Sequence, residues 1–157
     1  MEKPYPARLY HKTPSWVEDG AIFHIRIRCS DDNRIPLVQS GVADNMLESA
    51  RFYSEQGRWF SHLFLLMPDH LHALISFPKD GVMARILSEW KRYQTRRHGI
   101  RWQENFFDHR LRNVQEYLEK AAYIRRNPVV NGLCETPEVW RWVLDAGGTR
   151  RPGAFEN

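Results

Sequence analysis

The sequence contains little cysteine and no long apolar stretch. Among its 157 residues, Cys29 and Cys134 are the two cysteines, and they lie far apart without Cys-x-x-Cys spacing. This argues against a disulfide framework and against a thiolate zinc site. No run approaches the roughly 18 apolar residues needed to span a bilayer, and the N-terminal residues lack the apolar core of a signal peptide. We therefore expect a reduced, cytoplasmic protein that does not bind membranes.

Acidic residues are scarce in one part of the chain. Residues 1–80 hold 9 Lys or Arg against 10 Asp or Glu, whereas residues 81–157 hold 14 against 9. Between Lys91 and Arg101 there are five basic residues and no acidic one. This density suits the neutralisation of nucleic-acid phosphates, although a solvated helix face has the same appearance. The candidate DNA-binding residues are Lys91, Arg92, Arg96 and Arg97.

Hydrophobic periodicity predicts one domain of four strands and three helices. At 42% hydrophobic residues the chain can bury a core. Patterns of period two, apolar runs and helical spacing predict, in order, a strand in 21–29, a helix in 42–53, strands in 59–67 and 70–77, a helix over 82–98, a strand in 102–111 and a helix from Asn113 to Pro128. The expected domain covers residues 1–135. Residues 136–157 form a C-terminal tail that is irregular apart from the segment 140–144, and its last ten residues are loosely ordered.

The order of these elements predicts the fold class. Strand, helix, strand, strand, helix, strand, helix is a split β-α-β unit repeated once. We expect an α+β, ferredoxin-like (RRM-like) fold, in which a four-stranded antiparallel sheet carries helices on one face. This fold hosts many functions, so the function has to come from the site.

A pair of histidines begins one of the predicted strands. His70 and His72 flank Leu71, directly after a Met67-Pro68-Asp69 turn. Because alternate residues of a strand leave the same face, the two rings lie roughly 7 Å apart at Cα and can converge on one divalent cation. The spacing alone is a weak motif, since it also arises by chance.

The last predicted helix carries a tyrosine and a carboxamide one turn apart. Tyr123 and Asn127 lie on nearly one helical face. A carboxamide oxygen can join two histidines on a hard cation, and the phenol could attack a phosphodiester that the cation polarises. Equally, Tyr123 could be a packing aromatic and Asn127 a helix terminator before proline. Tyr117, six residues before Tyr123, is interpreted as packing.

Four short motifs occur in order along the chain: Met67-Pro68-Asp69-His70-Leu71-His72, Trp90-Lys91-Arg92-Tyr93, Phe106-Phe107-Asp108-His109-Arg110-Leu111-Arg112, and Tyr123-Ile124-Arg125-Arg126-Asn127-Pro128-Val129 followed by Gly132-Leu133. Together they resemble the REP-associated tyrosine transposases, a branch of the single-tyrosine transposases with an HUH motif, in which two histidines surround a bulky apolar residue. The resemblance runs from about Ile22 to Leu133.

The resemblance implies a function and assigns residues to it. It implies a Mg²⁺ or Mn²⁺ ion on His70, His72 and Asn127, and a covalent 5′-phosphotyrosine bond between Tyr123 and single-stranded DNA. It implies a single-strand DNA endonuclease and strand transferase that acts on palindromic repeats folded as hairpins. The protein would work as a monomer or a homodimer.

Some positions depart from the family pattern or stay open. Asp69 stands where the family often has Asn and could bind metal or cap the turn; we favour the cap. Arg125 and Arg126 stand where the family commonly has His or Glu, which suggests phosphate contacts. Asp108 and His109 could support the site or contact DNA, although a strand histidine is more often structural. Trp90 or Trp102 could stack unpaired bases, and His11, His24, His62 and His98 receive no function.

Two other functions are compatible with the same sequence. A non-catalytic nucleic-acid-binding module would keep the basic helix and would not need Tyr123 or the histidine pair. A metal-dependent phosphoesterase with a water nucleophile would need the histidines but not the tyrosine.

Overall fold

A computed structural model describes residues 20–146, and they form strands and helices in the predicted order. The elements are β1 (Phe23–Arg28), α1 (Val42–Glu55), β2 (Phe60–Leu66), β3 (His70–Ser76), α2 (Met83–His98), β4 (Phe107–Arg110), α3 (Val114–Val130), a 3-10 helix (Pro137–Val139) and β5 (Val143–Asp145). Across residues 20–146, no helix combines the length and the apolar character that crossing a bilayer requires. The last ten residues, predicted to be loosely ordered, lie outside the described residues.

The strands form one antiparallel sheet in the order β4-β1-β3-β2-β5. The predicted class, an antiparallel sheet combined with helices, is confirmed, but the sheet has five strands rather than four. The additional strand β5 pairs with β2, with Leu63 opposite Asp145 and Leu65 opposite Val143. β5 thus overlaps the segment 140–144, the part of the tail not predicted to be irregular, and it completes the sheet.

Helices cover both faces of the sheet, whereas the prediction placed them on one face. α1 and α2 pack on the face that presents Leu71, Ala73 and Ile75 of β3. α3 packs on the other face, where it joins a second core with Leu74 and other residues. The physical reason is that β2 and β3 are buried along nearly their whole length. Strands that are apolar on both sides need cover on both sides.

Alternation along β3 places the paired histidines on the same face as α3. His72 and Leu74 are alternate residues, and Leu74 belongs to the core formed with α3. The intervening Leu71 and Ala73 point into the core formed with α1 and α2. The prediction that the two imidazoles share a face while Leu71 turns to a core is therefore confirmed.

α3 begins as predicted and ends later than predicted. The Asn113 side chain accepts a hydrogen bond from the backbone N–H of Glu116, as an N-cap does. The prediction that Pro128 limits the helix is wrong, because α3 continues to Val130. Proline removes only its own N–H, and the backbone N–H of Asn131 still donates to the carbonyl of Asn127. Tyr123 and Asn127 therefore stay on one continuous helix.

A third histidine, His62 of β2, is completely buried beside α3. Its Nε2 lies 2.9 Å from the Ser76 Oγ, and its Nδ1 has no hydrogen-bond partner among the described residues. The ring contacts Phe60 and Tyr117 edge-on. Burial lowers the pKa of His62 to about 3. The folded protein thus holds this imidazole neutral, whereas the unfolded chain protonates it near its ordinary pKa of roughly 6.5.

We predict that acid destabilises the protein partly through His62. The folded pKa is the lower one, so the stabilising contribution is present above about pH 6.5 and is lost as the pH falls towards 3. Replacing His62→Gln should reduce the slope of unfolding free energy against pH, between pH 6 and 5, by roughly 1 kcal/mol per pH unit. Ser76→Ala, which keeps the ring, should retain the slope. Equal slopes for wild type and His62→Gln in urea titrations would contradict the prediction.

Candidate active site

The rings of His70 and His72 face each other at the start of β3. Their centroids are 5.0 Å apart, and the ring planes are nearly perpendicular, at 83°. His72 is buried and His70 is partly exposed. His72 therefore lies at the buried end of the site, and His70 lies at its solvent-exposed end.

Hydrogen bonds at the Nδ1 atoms orient both imidazoles. The His70 Nδ1 lies 2.8 Å from a carboxylate oxygen of Asp69, and the His72 Nδ1 lies 3.1 Å from the Nε2 of His24. The Nε2 atoms are left to bind a cation, and a ligand histidine is commonly fixed in this way through its other nitrogen. Asp69 therefore orients a histidine ring, a role beyond the turn cap that we favoured.

His24 of β1 is a site residue that sequence reasoning missed. Its ring lies beside that of His72, nearly parallel to it, with centroids 5.3 Å apart, and it meets Phe107 of β4 edge-on. Its Nδ1 is buried without a hydrogen-bond partner among residues 20–146. The alternation of apolar and polar residues in β1 indicates which face of the strand His24 occupies. Predicting its contact with His72 also needs the register of β1 against β3, which local sequence patterns do not contain.

The two adjacent histidines, His24 and His72, are held neutral. Burial, followed by the charges of His70, His24, Arg26 and Arg28, lowers the pKa of His72 to about 3. Burial, followed by Lys120, Arg26 and His109, lowers the pKa of His24 to about 4. Both rings are therefore unprotonated near neutral pH, which is the state that a metal ligand must have.

Tyr123 projects from α3 towards this histidine cluster. Its ring centroid lies 5.8 Å from that of His72, and 46% of the residue is exposed. The ammonium of Lys120 lies 5.8 Å from the same ring. By contrast, Tyr117 is buried, and burial raises its pKa to about 12. The interpretation of Tyr117 as a packing residue is confirmed, and Tyr123 is the phenol that solvent and substrate can reach.

Asn127 lies one turn after Tyr123 and is 8% exposed. Its side-chain oxygen is within 3.3 Å of the Asn131 amide, which holds the carboxamide in place. No group of three or more His, Cys, Asp or Glu side chains in the described part of the chain is arranged as a metal site. A cation here would depend on His70, His72 and an amide oxygen. The amide oxygen and water are donors that Mg²⁺ and Mn²⁺ prefer, whereas the two imidazole nitrogens favour softer first-row ions.

The basic residues of α2 lie on the opposite face of the sheet from the histidines. Lys91 donates hydrogen bonds to the backbone carbonyls of Gln103 and Glu104, so its ammonium anchors a loop. Arg92 and Arg96 line a groove between α1 and α2. Arg97 is exposed on the same helix. The structure therefore does not bring these four predicted DNA contacts to the candidate site.

The tryptophans proposed to stack bases are part of the fold. Trp90 is completely buried in the core under α1 and α2, so the prediction that it could stack unpaired bases is wrong. Trp102 packs on Trp90 with ring centroids 6.0 Å apart, and its indole N–H donates to the carbonyl of Lys91. Both rings thus hold α2 and the following loop together.

Most of the remaining polar candidates either bind other groups or, as with Asp108 opposite Ile25, lie on the sheet face away from the histidines. His109 of β4 is 2.7 Å from a carboxylate oxygen of Glu116, which joins β4 to the start of α3. Asp108 is exposed. Arg126 is exposed, whereas Arg125 pairs with Asp145 of β5 at 2.8 Å. The guanidinium of Arg125 is therefore committed to a buried carboxylate and ties α3 to the sheet.

Comparisons with known proteins place the chain among transposase folds. No family model matches it. A solved structure of a REP-associated tyrosine transposase bound to a REP hairpin superimposes with a TM-score of 0.67 at 23% identity, covering 79% of this chain and 76% of that one. The fold is therefore that of a transposase of this type.

Sequence comparison points to the same proteins. The REP-associated tyrosine transposase of Escherichia coli K12 is 28% identical over 99 residues, which is 60% of this chain and 60% of that protein. A protein of Haemophilus influenzae named for the same kind of transposase is 27% identical over 92 residues, 48% of this chain and 52% of that protein. The matches thus span little more than half of these relatives, and the resemblance to REP-associated tyrosine transposases is confirmed.

We predict that Arg125 acts on stability rather than on DNA. Replacing Arg125→Met removes the guanidinium that pairs with the buried Asp145 carboxylate, which should lower the free energy of unfolding by about 3 kcal/mol in denaturant titrations. The matched variant Arg126→Met removes the same charge from an exposed neighbour and should change stability by less than about 0.5 kcal/mol. A stable Arg125→Met protein with weakened DNA binding would assign this residue to phosphate contact instead.

Proposed function

We propose that this chain is a metal-dependent single-strand DNA endonuclease and strand transferase that acts on palindromic repeat hairpins through a covalent 5′-phosphotyrosine. The observation that supports this most strongly is the position of Tyr123. An exposed phenol stands beside His72, on the face where His70 and His72 converge. A nucleophile next to a cation site is one arrangement that can cleave a phosphodiester through a covalent intermediate.

His70, His72 and Asn127 are the residues that would hold Mg²⁺ or Mn²⁺. When bound, the ion would supply Lewis-acid polarisation of the scissile phosphate and charge neutralisation in the transition state. Asp69 and His24 contribute by fixing the two rings through their Nδ1 atoms. Because these partners orient the ligands before a cation arrives, less ordering is needed on binding.

Tyr123 supplies the covalent step. Its phenolic oxygen forms a bond to phosphorus while the bond between phosphorus and the 3′-oxygen breaks. The phenol gives up its proton, and the departing 3′-hydroxyl takes one up, so the energy of the phosphodiester is kept in the tyrosyl ester. A DNA 3′-hydroxyl can then attack that ester and release Tyr123, which rejoins strands without an energy source.

The helix keeps the nucleophile and the amide ligand in fixed relation. Tyr123 and Asn127 are separated by one turn of α3, and α3 is packed on the sheet by Tyr117, Ala121 and Ile124. This rigidity holds the phenol near the cation site without a separate positioning loop.

We predict that Tyr123→Phe abolishes covalent attachment and retains DNA binding. The protein would be incubated with labelled hairpin oligonucleotides and Mn²⁺, followed by denaturing electrophoresis. Wild type should give a protein-DNA band that survives denaturation, and the variant should give none, because it lacks the attacking oxygen. The matched Tyr117→Phe variant should keep the band. Cleavage that persists in Tyr123→Phe and disappears in His72→Ala would identify a water nucleophile and contradict the proposal.

We also predict that His24 raises the affinity of the site for Mn²⁺. Removing the group that orients a ligand histidine typically costs 10–100-fold in metal affinity, so His24→Asn should weaken Mn²⁺ binding by about that factor in calorimetry. His72→Ala should abolish binding. His98→Asn, which removes a histidine bonded to Asn45 on the other side of the sheet, serves as the control. Unchanged affinity in a folded His24→Asn protein would show that the ring acts only in packing.

A further inference from the structure

The side chains of β1 that face the candidate site are basic. Because alternate residues share a face, Arg26 and Arg28 lie on the same side of the sheet as His24. The register of β1 against β3 places Arg26 opposite His72 and Arg28 opposite His70. Residues directly opposite in antiparallel strands are within about 5.5 Å at Cα. Each of the two histidines predicted to bind the cation therefore has an arginine as its cross-strand neighbour.

One of these arginines, Arg26, packs against an aromatic side chain of β4. The guanidinium of Arg26 lies 5.0 Å from the ring centroid of Phe107, which is itself 41% exposed. Arg28 is exposed at the end of β1. From the other side, Lys120 of α3 lies beside the Tyr123 ring. We call Arg26, Arg28 and Lys120 the cationic rim.

The carboxylates near the rim are hydrogen-bonded to other groups. Asp69 holds the Nδ1 of His70. The pKa of Asp69 is lowered first by this hydrogen bond with His70, and the charge of Arg28 contributes to the same shift. Glu116 accepts from the backbone and the side chain of Arg112 and contacts His109. The strand register places both β1 arginines beside the histidines, so their positive charge acts across the site.

We propose that the cationic rim is the phosphate-binding surface that presents the DNA strand to Tyr123, in place of the basic run on α2. The inference rests on the proposed function. A strand cleaved at Tyr123 must bring its phosphates to the face where His70 and His72 lie, and α2 is separated from that face by the whole sheet. Arginine suits this task because its guanidinium can bind phosphate oxygens in a bidentate manner.

The basic run on α2 and the cationic rim differ in how many charges they hold and in how close those charges lie to Tyr123 and the histidines. The α2 run holds more basic residues per length of sequence, but Lys91 is bound to backbone carbonyls, and Arg92 and Arg96 open on a groove that also contains Glu48 and Glu89. The rim holds fewer charges, and all three lie around the reactive groups. Electrostatic attraction between a phosphate and a cation falls off with distance and is screened within about 10 Å at 0.1 M salt.

The test compares two double variants that remove the same charge from opposite faces. Arg26→Gln with Arg28→Gln removes two rim charges, and Arg92→Gln with Arg96→Gln removes two from α2. Both are made in the Tyr123→Phe background and titrated in EDTA with a fluorescent hairpin oligonucleotide that carries a single-stranded extension. Binding is thereby measured without cleavage or metal.

The rim variant should bind about 10-fold more weakly or worse at 0.1 M salt, and the α2 variant should stay within about twofold of its parent. The plot of log affinity against log salt should become shallower by about 1.4 for the rim variant, since each phosphate contact to a single strand contributes about 0.7. The single variant Arg28→Gln, at an exposed position, should make the plot shallower by about 0.7. Arg28→Lys, which keeps the charge, should restore the slope of the parent.

Other outcomes would overturn the inference. If the loss of affinity and slope follows the α2 variant, the strand runs over the opposite face, and only the rim assignment fails. If the parent protein itself binds neither hairpin nor single-stranded DNA, the proposed function fails with it. If Arg28→Gln is folded and binds with unchanged affinity and unchanged slope, the rim does not contact phosphate.

Discussion

The period of two along β3 is the constraint on which both the core and the candidate site depend. Its odd-numbered residues, including Leu71 and Ala73, bury against α1 and α2, while His72 and Leu74 face α3. Sliding the strand by one residue would exchange the two sets and place imidazoles in an apolar core. Burial of apolar residues against α1 and α2 therefore determines that the histidine side chains point to the α3 face. Any change that unfolds this core would also disrupt the site.

Sequence reasoning was most successful where the information is local. Alternation predicted the shared face of His70 and His72, and helical spacing predicted that Tyr123 and Asn127 lie one turn apart. It failed where the outcome depends on pairing between distant segments. The contact of His24 with His72 follows from the β1–β3 register, which joins residues 48 apart.

The C-terminal elements show two further limits of local signals. β5 has only three residues, too few for a pattern, and it exists because β2 offers it a free edge and Arg125 binds its Asp145. Pro128 is a strong local stop signal, yet α3 continues past it. The lost hydrogen bond and the crowding of the proline ring against the preceding turn are offset here, because the next turn regains its hydrogen bonds and the helix is packed on the sheet.

The short strands at the margins of the sheet affect how copies of this chain could meet. Within residues 20–146 one outer edge is β5, with three residues, and the other is β4, with four, of which Asp108 and Arg110 are exposed. Short and charged edge strands resist backbone pairing with another molecule. Self-association involving this region is therefore favoured through helix or loop surfaces over edge-to-edge strand pairing, and the longer, apolar inner strands are kept away from the edges.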